Sequence, residues 1–333
     1  MTGKQTDAVA VSTRIRLARN LADLPFPGRM NREQQRDLLS RAGQAMTNTG
    51  QFTLTELDSG NRLLAQAWVE RHIISPVFAR SEAVRGVAIS RDETCHVMIG
   101  EEDHLRIQVL QDGLCLDECL ETAVKLDELL EDALPYAFDT SLGYLTACPS
   151  NLGTGLRASL MLHLPAIFET GGLRDVVAAA GQLGLTVRGV YGEGSAAAGY
   201  LFQLSNQQTL GASEEELAAR LGSVAKRVRE RELGLRAAVR RHDPAGADDR
   251  VWRAVGVLKH ARRISVEEAT KLLSEMLIGI SAGVLETLRA EQVYRLMIDI
   301  QPAGLCLDAG RDLNAGERDV RRAELLRNSF SDI

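Results

Sequence analysis

The spacing of apolar residues changes character along the chain. Asn31 with Gln34 forms a capping-box pattern ahead of a helix that runs to about residue 46. Residues 63–74 are a second helical candidate. Stretches 84–90, 95–100 and 105–110 are short, β-rich and separated by charged turns, so they predict neighbouring strands. Residues 116–134 carry apolar positions at helical spacing with acids on the other face. The pattern then predicts a strand at 143–147 that runs through a glycine-containing turn into a helix over about 156–168. Further strands are predicted at 185–190 and 200–204, flanking the small-residue loop 192–199, which is expected to be mobile. From Ser213 onward only helices are predicted: 214–240, 249–262, 266–278 and 315–327, with the polar stretch 242–248 as the linker. An α+β domain over 1–240 followed by a helical domain over 249–333 is the expected organisation.

Composition narrows the class. At 333 residues, 45% hydrophobic and 25% charged, the chain has the profile of a globular protein of about two domains. A formal charge of -6 argues against direct nucleic-acid binding and favours cationic or neutral partners. Five cysteines (Cys95, Cys115, Cys119, Cys148, Cys306) without CxxC spacing indicate neither a disulfide framework nor a zinc site, so a reducing, cytoplasmic location is expected. No apolar run has the length of a membrane span or a secretory signal.

Four segments carry candidate chemistry: STRIR at residues 12–16, EEDHLR at 101–106, CPSNLGTGLR at 148–157 and RGVYGE at 188–193. Each sets an arginine beside a turn or strand end. Arginines gathered into one region repel unless an anion lies among them, and a triphosphate is the obvious anion. Neither a P-loop nor the GxGxxG, HRD and DFG set of protein kinases is present, so guanidinium side chains would replace those cradles. The same segments supply the pair Glu101-Glu102 and the lone Glu193. Opposed carboxylates can hold a planar guanidinium by parallel hydrogen bonds and take its proton as a new bond forms.

These segments resemble the signatures of the phosphagen (guanidino) kinases, S-[ST]-R-[IV]-R, N-E-E-D-H-L-R and C-P-[ST]-N-[LV]-G-T, in order and spacing across most of residues 11–211. The resemblance implies an α+β catalytic domain with a mainly antiparallel sheet flanked by helices, acting on ATP with Mg²⁺. It implies that Arg14, Arg16, Arg106, Arg157 and Arg188 bind the ATP phosphates, with Ser12 and Ser159 among them and His72 beside the adenine. Glu102 and Glu193 would be the catalytic carboxylates, Cys148 would lie against the guanidinium, and Glu101 would hold magnesium through water. Two positions depart from the family: Gly100 replaces an asparagine and Ala196 replaces an expected acid.

Small-molecule guanidino kinases carry a helical domain ahead of the STRIR-like segment, which here begins at Ser12. A helical region instead follows the catalytic one and contains RDVRRA at residues 318–323. That arrangement is similar to bacterial protein-arginine kinases of the McsB type, whose RDxxRA motif lines an allosteric phosphoarginine pocket, here Arg318, Asp319 and Arg322. Such a relationship implies protein substrates with exposed arginines, an activator protein, a stress repressor, a Clp-type unfoldase or protease, and a homodimer or larger assembly.

Weighed singly, the residues have blander readings. A surface arginine is ordinarily solvated; Cys148 alone is a small buried hydrophobe; the arginines of RDVRRA alone are a charged helix face. His104 and His163 lack partners at metal-ligand spacing and are expected to be structural. Adjacent strand residues face opposite ways, so at most one of Glu101 and Glu102 should reach a given atom. Two other functions fit the sequence, a kinase for free arginine or another small guanidino compound and a non-catalytic regulator that binds phosphoarginine or a repressor.

Overall fold

The computed structural model describes residues 8–189 and 198–331. Its frame is an antiparallel sheet of eight strands: β1 (Ala10–Arg19), β2 (Phe52–Glu56), β3 (Gly86–Ser90), β4 (Cys95–Ile99), β5 (Leu105–Asp112), β8 (Leu156–His163), β9 (Leu185–Gly189) and β10 (Leu201–Asn206). A small hairpin of β6 (Phe138–Asp139) and β7 (Gly143–Tyr144) stands apart. The large sheet runs in the order β2-β3-β4-β5-β1-β8-β10-β9, so β1 lies at its centre between β5 and β8. Around and after it come α1 (Arg32–Thr47), α2 (Arg62–Glu70), α3 (Pro76–Arg80), α4 (Leu116–Ala133), α5 (Pro165–Glu169), α6 (Leu173–Gln182), α7 (Glu214–His242), α8 (Pro244–His260), α9 (Val266–Ser281), α10 (Ala290–Asp299), α11 (Pro302–Asp308) and α12 (Ala315–Ser329).

Period-two alternation gives β1 its two faces. Thr13, Ile15 and Leu17 are buried, whereas Ser12, Arg14 and Arg16 alternate with them and are only partly covered. The apolar face joins the main core, where Ile15 and Leu17 cluster with Leu120, Leu126 and Leu130 of α4 and Leu217, Leu221 and Val224 of α7. The opposite face carries the arginines. A smaller cluster against Val87 and Met98 holds Trp68 of α2 and Phe78 of α3. The helical region has its own core, built on Leu273 and Leu277 of α9 with Val293, Met297 and Leu326, and it reaches the sheet at Leu201.

The capping box at Asn31 forms as expected, with each partner's side chain accepting from the other's backbone N–H at 2.9 Å. Three expectations are corrected. Residues 156–163 are a strand, not the start of a helix, and only the short α5 follows. Leu, Met and Ala favour helices, but β8 pairs with β1 and β10 and is covered on both sides, so burial does not alternate along it and the period-two signal is lost. The presumed linker is helical from Pro244: Asp243 caps α8 by accepting from Gly246 N at 2.9 Å, and proline opens the helix because its missing N–H is not needed there. Helices α10 and α11 were not predicted. Arg289 and Gln301 occupy their N-cap positions, so neither shows the usual Ser, Thr, Asp or Asn start signal.

Candidate active site

Strand register sets the arginines on one face. Arg16 lies opposite Arg157 on β8, Arg14 opposite Ser159, and Ser12 opposite Met161. On the other side of β1, Ala18 pairs with Arg106 of β5 and Arg14 with Leu110. Gln203 of β10 lies between Met161 and Arg188 of β9. Directly opposed residues point to the same side of a sheet, so the five arginines named from the sequence share one surface.

Three of them, Arg14, Arg16 and Arg157, lack the carboxylate partners that buried arginines normally have. Arg14 bonds weakly to Ser159 Oγ at 3.4 Å and to Gln203 Oε1 at 3.2 Å. The Nε atoms of Arg16 and Arg157 are buried without any hydrogen-bond partner. Burial, reinforced by Arg157 and Arg106, pulls the Arg14 guanidinium down to about 10. Burial also lowers Arg16, with Arg14, Arg106 and Arg157 adding like-charge repulsion that Glu101 partly opposes. Arg157 is lowered by burial, then by Arg188 and Arg106, with Cys148 and Glu102 acting in the opposite sense. Unmet donors and mutual repulsion together make a surface whose free energy falls when a polyanion arrives.

The acids stand at one end of this face. Residues 101–104 form the bend that joins β4 to β5, where a charged turn was expected, and the two carboxylates reach different nitrogens of Arg106, so no single atom receives both. Arg106 reaches Glu101 at 2.7 Å and Glu102 at 3.1 Å. Glu101 is nearly enclosed and also accepts from Ser75 Oγ at 2.5 Å, whereas the Glu102 side chain is 47% exposed and available to a ligand. Gly100 precedes this bend at φ +80°, a conformation that favours glycine, and a Cβ there would lie 3.0 Å from Val84 O. A cavity of about 190 Å³ is lined by Arg16, Leu17, Ala18, Glu102, Arg106, Ser150, Asn151, Gly155 and Arg157. Next along the face, Ser12, Arg14, His72, Leu110, Ser159, Met161 and Gln203 line a narrow cleft. Burial and the nearby Arg14 bring His72 down to about 4, so its ring is neutral.

Cys148 is partly buried just before the turn at Pro149–Asn151, with Sγ 3.1 Å from Ser150 Oγ. Cys95, Cys115, Cys119 and Cys306 are buried. Glu193 and Ala196 lie outside the described residues. His104 and His163 are structural: His104 Nδ1 accepts from Leu21 N at 2.9 Å, and His163 Nε2 lies 2.6 Å from Ser274 Oγ.

Asp103 was not singled out from the sequence, although it lies inside EEDHLR. Its Oδ1 accepts from Asn20 Nδ2 and from Ala147 N, both at 2.7 Å. It therefore binds the Glu101–Glu102 turn to the end of β1 and to the segment that carries Cys148. Only its charge beside other acids could have marked it.

On α12, Arg318, Asp319 and Arg322 are brought together. Arg322 is buried, donating to Ile300 O and Ile264 O at 2.9 Å and to Asp319 at 2.7 Å, and Arg318 donates to Leu313 O at 2.6 Å.

Comparison with known proteins agrees with this architecture. The family described as ATP:guanido phosphotransferase, C-terminal catalytic domain, matches residues 34–235, and the protein-arginine kinase McsB C-terminal domain matches residues 245–333. A protein-arginine kinase of Symbiobacterium thermophilum is 47% identical over 99% of this chain and 95% of its own length. One from Halothermothrix orenii is 42% identical over the same shares. Among solved structures, lombricine kinase superposes with a TM-score of 0.61 at 28% identity, covering 72% of this chain and 70% of its own.

Proposed function

The chain belongs to the ATP:guanido phosphotransferase family, and we propose that it transfers the γ-phosphoryl group of ATP to arginine side chains of proteins. The observation that carries the reading is the sheet face on which Arg16 and Arg157 hold buried, unpartnered Nε atoms beside Glu102 and Cys148. Arg14, Arg16, Arg106, Arg157 and Arg188 would neutralise the phosphates, with Ser12, Ser159 and His72 lining the narrow cleft beside them.

In the transfer a substrate guanidinium Nη forms a bond to the γ-phosphorus while the bond from that phosphorus to the β–γ bridging oxygen breaks, releasing ADP. The guanidinium gives up a proton as the P–N bond forms. Glu102, together with Glu193, would align the planar group by paired hydrogen bonds and accept that proton, and Cys148 would pack against it. Phosphoryl transfer is accelerated chiefly by position and charge, and both are what these side chains supply.

Mg²⁺ in such enzymes is held mostly by phosphates and water. Glu101, beside Arg106 and Ser75 at the acid end of the arginine face, would hold the ion through water. The proposal extends to a catalytic unit over 1–240 and a regulatory one over 249–333 with a phosphoarginine pocket at Arg318, Asp319 and Arg322. An activator, a stress repressor, a Clp-type protease and self-association complete it, on family resemblance.

Incubation of the purified chain with MgATP and an arginine-rich protein, read by mass spectrometry under non-acidic conditions that preserve phosphoramidates, tests the reaction. Phosphorylated arginine on the protein is expected. Phosphorylation of free arginine alone would replace the protein substrate with a metabolite.

A further inference from the structure

The last turn of α2 belongs to two sites at once. His72 lines the narrow cleft with Ser12 and Arg14, and it does so at φ +60°, a conformation that a non-glycine residue holds only when its surroundings enforce it. One restraint is visible on the sheet side, where Gln108 Nε2 donates to His72 O at 2.8 Å. The other comes from the helical region. Two residues before His72, Glu70 accepts from Ala303 N through Oε1 and from Gly304 N through Oε2, each at 2.9 Å, so both carboxylate oxygens grip the first turn of α11. Leu305 and Cys306 of α11 also pack with Leu63 of α2 and Leu325 of α12. Arg318 and Arg322 are close enough to Glu70 to favour its charged form against the burial that raises its pKa.

We propose that Glu70 is a positioning residue for the nucleotide: by fastening the end of α2 to α11 it holds His72 in the cleft, so nucleotide affinity depends on how the helical region is seated. This rests on the reading that ATP occupies the arginine face. A group that supports bound nucleotide equally before and during transfer contributes uniform binding, so its loss raises KM for ATP and leaves kcat nearly unchanged. Coupling of this kind is reciprocal, and nucleotide binding also tightens the α2–α11 contact.

The test uses the full chain and four variants. Glu70→Ala removes both acceptors, Glu70→Gln keeps one, and Ala303→Pro removes a donor from the helical side at a helix position that tolerates proline. Arg157→Ala serves as the control for the nucleotide site. KM for ATP, kcat, MgADP affinity by calorimetry and melting temperature are measured for each. Glu70→Ala and Ala303→Pro are expected to raise KM and the ADP dissociation constant by roughly three- to tenfold with kcat within about twofold, and Glu70→Gln to fall between them and the wild type, as loss of one or two charge-assisted hydrogen bonds acting at a distance implies. A lower melting temperature with unchanged KM in Glu70→Ala and Ala303→Pro would reduce the contact to a structural tether. If Arg157→Ala weakens ADP and the other variants do not, only this inference falls; if Arg157→Ala leaves ADP affinity unchanged, the nucleotide reading falls with it.

Discussion

Arg236 on α7 and Arg157 on β8 show two uses of a covered guanidinium. Arg236 donates to Glu232 at 2.7 Å, to Ala8 O and Ser281 Oγ at 3.1 Å, and to His163 Nδ1 and His163 O at 2.9 Å. Arg19 is similar, paired with Asp127, donating to Ala18 O and Thr154 O at 2.9 Å and stacked 3.5 Å above the centre of the Tyr144 ring. Arg157 instead has an unpartnered Nε and other arginines as neighbours. For Arg236 and Arg157 the difference lies in the partners of the cation more than in its burial.

The largest effect that could break this comparison is on stability. Breaking a buried ion pair by removing one partner costs about 3–5 kcal/mol, so Arg236→Ala, which strands Glu232, should lower the denaturant midpoint steeply with little change in slope. A midpoint close to wild type would erase the distinction.

Next in size is Glu102→Gln, which removes a base but no buried pair of the structural kind. Phosphoarginine formation should fall by about a hundredfold or more, while calorimetry still detects ADP. Near-normal product would remove Glu102 from the reaction.

Arg157→Ala sharpens the contrast from the other side. Loss of a charge-assisted contact to phosphate, worth about 1.5–3 kcal/mol, should weaken ADP tenfold or more. Its melting temperature should hold or rise, because an unpartnered, repelled charge has left the interior. A large fall would classify Arg157 with Arg236.

A further effect concerns buried bases kept neutral. Burial brings His96 down to about 4, against an unfolded value near 6.5. Between those values the unfolded chain binds more protons than the folded one, so this contribution is intact above about pH 6.5 and is lost as pH falls toward 4. Melting curves over that range should show it, and His96→Gln should flatten the decline. An unchanged pH profile would assign the acid sensitivity to other groups.

These contrasts also mark what could be read without a structure. The arginine segments and the acids were legible because each occupies a short, ordered motif. The partners of Arg236 were not, since Ala8, His163, Glu232 and Ser281 are scattered over the chain and meet only through folding. Strand β8 was mistaken for a helix because a strand buried on both faces has no alternation to read. Glu70 was invisible for a related reason: its partners are two backbone N–H groups, and backbone carries no residue identity.

The central position of β1 governs when the protein can first act. Arg14 meets Ser159, its partner on β8, across a sequence separation of 145 residues. At synthesis rates of about 5–20 residues per second, the first strand waits several seconds or more before the strand that completes its phosphate-facing surface has even been made. A growing chain rich in its own arginines is thus incompetent toward ATP throughout that interval, and the topology itself delays activity until translation has passed the sheet.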